Sequence, residues 1–259
     1  PHVDFHTPMG FLTFLAPAAG IGIAGSYGSG LPVGMVGLAL ALVGGAALLT
    51  GPRLTNGSRL LFLTFVALLL LAPVNLGRDP RWVTYAMFYN RFGWGAVTVL
   101  LLLFVDVEEP NSHRVDGIVA GVLLALLLYL KATFFLAGAG VLACLLFSSE
   151  RQGRVWAAGL AVAAAVLSVE VVAPGLNAGY IHDLWVTAAV SGGVRADLKL
   201  AARWFMLDGV RLVAASIGGL AVVVWTSDRW RGALIAGLAG VVGLWLLDQS
   251  AQPYGLVTL

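Results

Sequence analysis

GIVAGVLLALLLYLKATFFLAGAGVLACLLF, residues 117–147, is the stretch on which the fold turns. It is an unbroken apolar run except for one charge, Lys131. As a single helix it would be about 46 Å long at 1.5 Å per residue, well beyond the roughly 30 Å of a bilayer's hydrocarbon. Either the helix tilts steeply or the chain turns at the lysine. A turn places the ammonium at an interface, as the apex of two short spans, and costs less than burying it at mid-membrane. We therefore expect a turn at Lys131.

The rest of the chain has the same character. Hydrophobic residues make up 59% and charged residues 11% of the sequence, against about 25% charged in ordinary soluble domains, and the mean hydropathy is +0.92. This composition predicts an all-α protein, a polytopic integral membrane helix bundle. A net charge of +2 spread over 259 residues argues against nucleic acid as a partner and against a polybasic surface anchor. The single cysteine, Cys144, lies in an apolar run and is expected to pack as a small hydrophobe.

Outward from the central block, apolar spans are expected at 31–51, 60–76, 95–105, 155–173, 206–225 and 232–247. Residues 8–25 are apolar but hold Pro8, Pro17 and several glycines, then run into Ser26-Tyr27-Gly28-Ser29-Gly30. Each proline removes a backbone hydrogen bond, so this segment suits a juxtamembrane or interfacial helix better than a clean span. The longest polar interval is 174–203, which holds Asn177, Tyr180, His182 and Asp183. With no linker or repeat visible, 1–259 is taken as one membrane domain: 1–30 a non-cytoplasmic loop and juxtamembrane helix, 31–259 transmembrane helices. The start at Pro1 and the apolar run Tyr254 to Leu259 suggest a fragment of a longer protein, lacking a first membrane helix.

If the spans alternate, one set of polar segments holds Arg53, Arg59, Arg114, Arg151, Arg154, Arg229 and Arg231. The other holds Arg78, Arg81, Arg91, Lys131, Arg195, Lys199, Arg203 and Arg211. Seven against eight does not orient the protein by the positive-inside rule. The second set, however, shares its side with Asp4, His2, His6, Glu170 and Asp183, and mixed acids, imidazoles and bases in longer loops are where chemistry is expected.

Three stretches carry a resemblance. Pro1-His2-Val3-Asp4-Phe5-His6-Thr7-Pro8-Met9-Gly10 is an aromatic and acidic loop ahead of a proline and an apolar helix. Phe88-Tyr89-Asn90-Arg91-Phe92 leads into a span, and Gly117 to Thr133 is a glycine-bearing span ending in Lys131 and Thr133. In this order they resemble the GT-C class of membrane glycosyltransferases, over roughly residues 1–150. The resemblance implies transfer of a sugar from a polyprenyl-phosphate donor to a hydroxyl of a glycan or lipid-linked acceptor, on the non-cytoplasmic side of a bacterial inner membrane. It also implies Asp4 as the base, Arg91 and Lys131 as phosphate ligands, and His6 and Tyr89 as acceptor or supporting contacts. These roles fit the chemistry, since an ionised carboxylate can take the hydroxyl proton and cations can hold the leaving phosphate. Arg78 and Arg81, flanking Asp79-Pro80, offer either diphosphate binding or a local ion pair.

The family's second acid falls here among Gly93, Trp94, Gly95 and Ala96, which argues against a divalent metal. His2, Asp4 and His6 alternate and would share one face of an extended strand, yet three ligands from one five-residue loop make a poor zinc site. Two other functions compete with transfer. In a transporter, Lys131 and Glu170 would line a path through the membrane; a non-catalytic envelope subunit would need neither.

Overall fold

The computed structural model describes residues 7, 9–71, 88–105, 112–146 and 152–190. The expected spans at 206–225 and 232–247 lie outside these, as do His2, Asp4, His6, Arg78 and Arg81. The chain divides into two compact units, 1–187 and 188–259, and the architecture below is that of the first.

The described residues form eight α-helices and one 3-10 turn. They are α1 (Leu12–Ala24), α2 (Tyr27–Thr50), α3 (Asn56–Leu71), α4 (Phe88–Leu101) with a 3-10 turn at Leu102–Phe104, α5 (Ser112–Leu130), α6 (Ala132–Leu145), α7 (Gln152–Val172) and α8 (Leu176–Val190). The fold is all-helical, as composition predicts. Two of the helices, α2 and α7, are long and apolar enough to cross a membrane, while α1, α3, α4 and α6 are shorter apolar helices.

The long apolar run turns at Lys131. That residue alone is extended, with φ −164° and ψ 123°. Its N–H closes the last turn of α5 on Leu127 O at 2.9 Å, and its carbonyl accepts the first bond of α6 from Phe134 N–H at 3.0 Å. The two helices then fold back on each other, so that Gly138 of α6 faces the side chains of Leu124 and Leu127 of α5.

Several boundaries differ from expectation. Ser26 to Gly30 is not a break after a shallow helix: Ser26 is the N-cap of α2, its hydroxyl accepting from Ser29 N–H at 3.4 Å. Helix α2 therefore starts inside the region assigned to the loop. Helix α4 begins at Phe88, seven residues before the expected span at 95, because the aromatic residues ahead of that span are themselves buried. The polar interval 174–203 contains a helix, α8. Its polar residues recur every third position, which is helical and not loop-like.

Two helix pairs approach most closely, and each does so over glycines four residues apart. Gly30 and Gly34 of α2 lie against the α1 backbone at Ala16, Gly20 and Ile21; Gly117 and Gly121 of α5 lie against α7 at Arg154, Ala157, Ala158 and Ala161. Small residues at this spacing let backbones meet and gain dispersion contact without side-chain ordering. Contacts that advance together along both helices make α5 and α7 parallel, whereas α1 and α2 run antiparallel. Between these pairs the seam is filled by large apolar side chains such as Leu42, Leu70, Phe92, Leu100, Leu127 and Phe134.

One end of the unit is locked by charge. Asp116, in the second turn of α5, accepts both Nη atoms of Arg53 at 3.0 and 2.6 Å and lies 3.5 Å from Arg154 Nε of α7. All three side chains are buried. Arg53 also donates to Leu49 O at 2.8 Å and Arg154 to Leu103 O at 3.3 Å, so the cluster ties α2, α5, α7 and the 3-10 turn together.

These contacts set the expected stability of three variants. Asp116→Asn leaves two guanidiniums buried without their counter-charge and is expected to cost about 3–5 kcal/mol, read as a fall in Tm of the purified protein in detergent. Gly121→Ala is expected to cost about 1–3 kcal/mol, because its new Cβ meets the α7 backbone. Gly159→Ala, on the open face of α7, should instead gain up to about 1 kcal/mol from helix propensity.

Candidate functional site

Among the described residues, Tyr89, Arg91, Lys131, Glu170, Asn177 and Asp183 gather at the end of the unit opposite Asp116. The organising element is the α5–α6 apex. A single extended residue between two helices exposes backbone hydrogen-bonding groups that no helix uses, and the N-terminal segment occupies them. Met9 and Lys131 pair as an isolated antiparallel bridge. Gly10 N–H donates to Leu130 O at 3.1 Å, and the Thr13 hydroxyl donates to the same carbonyl at 3.0 Å. Phe11 stacks on Tyr129 with ring centroids 4.7 Å apart. Gly10 is required here, because any Cβ would run into the backbone of Tyr129.

Lys131 is buried, 8% exposed. Its ammonium lies 5.7 Å from the Tyr89 ring centroid and 5.9 Å from that of Phe134, a separation at which ring quadrupoles attract a cation. Outside both helices, it is pushed toward lower pKa by burial. Tyr89 sits in the first turn of α4, with Asn90 and Arg91 next to it, both buried. Aromatic contacts fix that turn: Phe88 meets Phe92 at 5.9 Å, and Trp94 meets Phe134 at 5.7 Å. Of the residues expected at the site, the fold thus brings Lys131, Tyr89 and Arg91 to one end of the bundle. The segment that follows Asp4 and His6 arrives at the same place.

Glu170 also belongs to this end but serves a different purpose. Its carboxylate accepts Gly175 N–H at 2.7 Å and Asn177 Nδ2 at 2.9 Å. It thereby braces the turn from α7 to α8, in which Gly175 has φ 82°. Its bonds among the described residues run to that turn, and none runs to Lys131.

Helix α8 supplies residues that loop assignment concealed. Asn177, Tyr180 and Asp183 recur at intervals of three, and each reaches toward the end of α5 or the N-terminal segment. Tyr129 Oη donates to Asn177 Oδ1 at 2.8 Å, Tyr180 Oη donates to Leu128 O at 2.9 Å, and Asp183 Oδ2 accepts Thr7 N–H at 3.1 Å. Burial pushes the Tyr180 phenol up to about 12, so it stays a neutral donor throughout the physiological range. Asp183 is 1% exposed, the most enclosed carboxylate at this end among the described residues. The opposite face of α8 carries exposed Ile181, Trp185 and Val186.

Chemically, this end combines a cation against aromatic rings, a buried guanidinium, a buried carboxylate and a fixed entry for the N-terminal segment. Among the described residues no three histidines, cysteines or acids cluster as metal ligands. The chain matches no family model, no curated protein and no solved structure. Functional assignment therefore rests on this geometry and on the chemistry of its residues.

Gly10→Ala tests the grip on the N-terminal segment. Pushing the segment off Tyr129 should raise hydrogen exchange at the Gly10 amide at least about tenfold, the loss of one protecting bond worth about 1.4 kcal/mol. Exchange in α4 and α7 should be unchanged.

Proposed function

We propose that the chain is a polytopic membrane glycosyltransferase of the GT-C kind, moving a sugar from a polyprenyl-phosphate carrier to an acceptor hydroxyl on the non-cytoplasmic side. The carrying observation is the pairing of Met9 with Lys131. It brings the segment that follows Asp4 to Lys131, a cation set between two apolar helices, with Tyr89 against that cation. Asp4 takes the proton of the attacking hydroxyl, and Lys131 and Arg91 hold the charge that grows on the departing lipid phosphate. Tyr89 shapes the cation's surroundings, and His6 contacts the acceptor.

A membrane setting is supported by the exterior of the unit. In α7, Trp156 and Leu160 are each 72% exposed and Val172 is 85% exposed. A soluble protein buries its most apolar helix, whereas a bilayer solvates one. The transporter alternative would have Lys131 and Glu170 share a path, and the bonding of Glu170 to Gly175 and Asn177 gives that reading no support.

The test is turnover of a radiolabelled polyprenyl-phosphate sugar by the full-length protein in liposomes. Asp4→Asn is expected to lower turnover by about 100-fold or more. Lys131→Met should lower it by about 10- to 100-fold through loss of a charge-assisted phosphate contact, with Lys131→Arg retaining part. Equal turnover by wild type and Asp4→Asn would remove Asp4 from the mechanism.

A further inference from the structure

Among the described residues, the contacts of Met9, Gly10, Phe11 and Thr13 run to residues 129–131, the α5–α6 apex. Thr7 reaches a different element: Asp183 of α8 accepts its amide at 3.1 Å. Thr7 is also the described residue nearest in sequence to Asp4, three positions upstream. Three residues of fully extended chain span no more than about 11 Å.

Asp183 is built for this task. A buried carboxylate is costly unless its oxygens accept hydrogen bonds, so its place at 1% exposure is held against a penalty. Its helix is fixed before it by two polar contacts on the same face, Asn177 to Tyr129 and Tyr180 to Leu128. These set both the rotation and the axial position of α8, and Asp183 follows one turn later. Thr7 adds a local turn of its own, its hydroxyl accepting Met9 N–H at 3.2 Å, which leaves the Thr7 amide free to face α8. The exposed neighbour His182 lies 3.8 Å from the carboxylate's other oxygen, Oδ1.

We propose that Asp183 is a positioning residue for the transfer reaction: through the Thr7 amide it fixes the N-terminal segment, at the residue that leads back to Asp4, against the apex that presents Lys131. The role rests on the function proposed above, and a separate measurement follows the clasp itself. Held by a helix and not by a loop, the carboxylate gives the segment a rigid support of the kind a general base needs.

The experiment uses the full-length protein in liposomes, with wild type, Asp183→Ala and Asp183→Asn compared. Hydrogen exchange is resolved at the Thr7 amide, and kcat and KM are measured with a radiolabelled polyprenyl-phosphate sugar. Asp183→Ala should raise Thr7 exchange at least tenfold and lower kcat at least tenfold, with KM for the donor within twofold and exchange in α5 and α7 unaltered. Asp183→Asn keeps an acceptor oxygen, so both quantities should return to within about threefold of wild type. Unchanged Thr7 exchange in Asp183→Ala overturns the clasp, whatever happens to turnover. Unchanged kcat with raised exchange overturns the positioning role alone, leaving the transferase standing. Loss of turnover in Asp183→Asn with Thr7 still protected would make the carboxylate's charge itself essential and overturn positioning in favour of direct chemistry. A wild type that turns over no polyprenyl-phosphate sugar overturns the function and the role together.

Discussion

An ammonium in the middle of an apolar helix is costly to bury, and the apolar residues from 117 to 147 hold one, Lys131. The chain gives up helical geometry at that residue, and its extended backbone opens two helix ends at once. Those open ends are what the N-terminal segment binds. The same turn returns α6 alongside α5 and so sends α7 back parallel to α5. The assembly of the apex and the packing of the longest apolar helices thus share one cause.

The polar end differs from the charged end in how it obtains order. At the Asp116 end, order comes from formal charge sealed between helices. At the apex it comes from hydrogen bonds between backbone groups and a few side chains, the Glu170 and Asp183 carboxylates among them, with aromatic rings around the ammonium. The carboxylate of Asp183 and the amide of Thr7 extend this lattice to the N-terminal segment.

Much of this was legible from residue order alone. The turn at Lys131 followed from length and charge. The all-helical fold followed from composition, and the alternation of spans correctly separated Arg53 and Arg154 from Lys131. What escaped was helical structure hidden by polarity. Asn177, Tyr180 and Asp183 looked like loop residues because charged and polar groups dominate residues 174–203. Yet their spacing of three gives one helical stripe, turned inward instead of outward, and usual amphipathic reasoning expects the reverse. Gly34, Gly117 and Gly121 passed as ordinary members of apolar spans, and Gly30 as the end of a shallow helix, when the pairs 30/34 and 117/121 mark where backbones touch. Glu170 drew attention as an acid in an apolar helix, but its partners came from the turn five to seven residues later, a local contact that sequence distance alone could have suggested.

The shared carboxylate of Asp116 has a consequence for how the helices keep step. Greasy cylinders that touch through glycine and alanine lose little by slipping lengthwise, since each notch resembles the next. One step of slippage shifts a helix by about 1.5 Å and swings its side chains by about 100°, enough to carry Arg53 or Arg154 off Asp116. The trio therefore works as an index mark, admitting one alignment of α2, α5 and α7 where dispersion alone would allow several. By fixing that alignment at one extremity, it also determines, a full helix length away, which residues of α5 arrive at the apex.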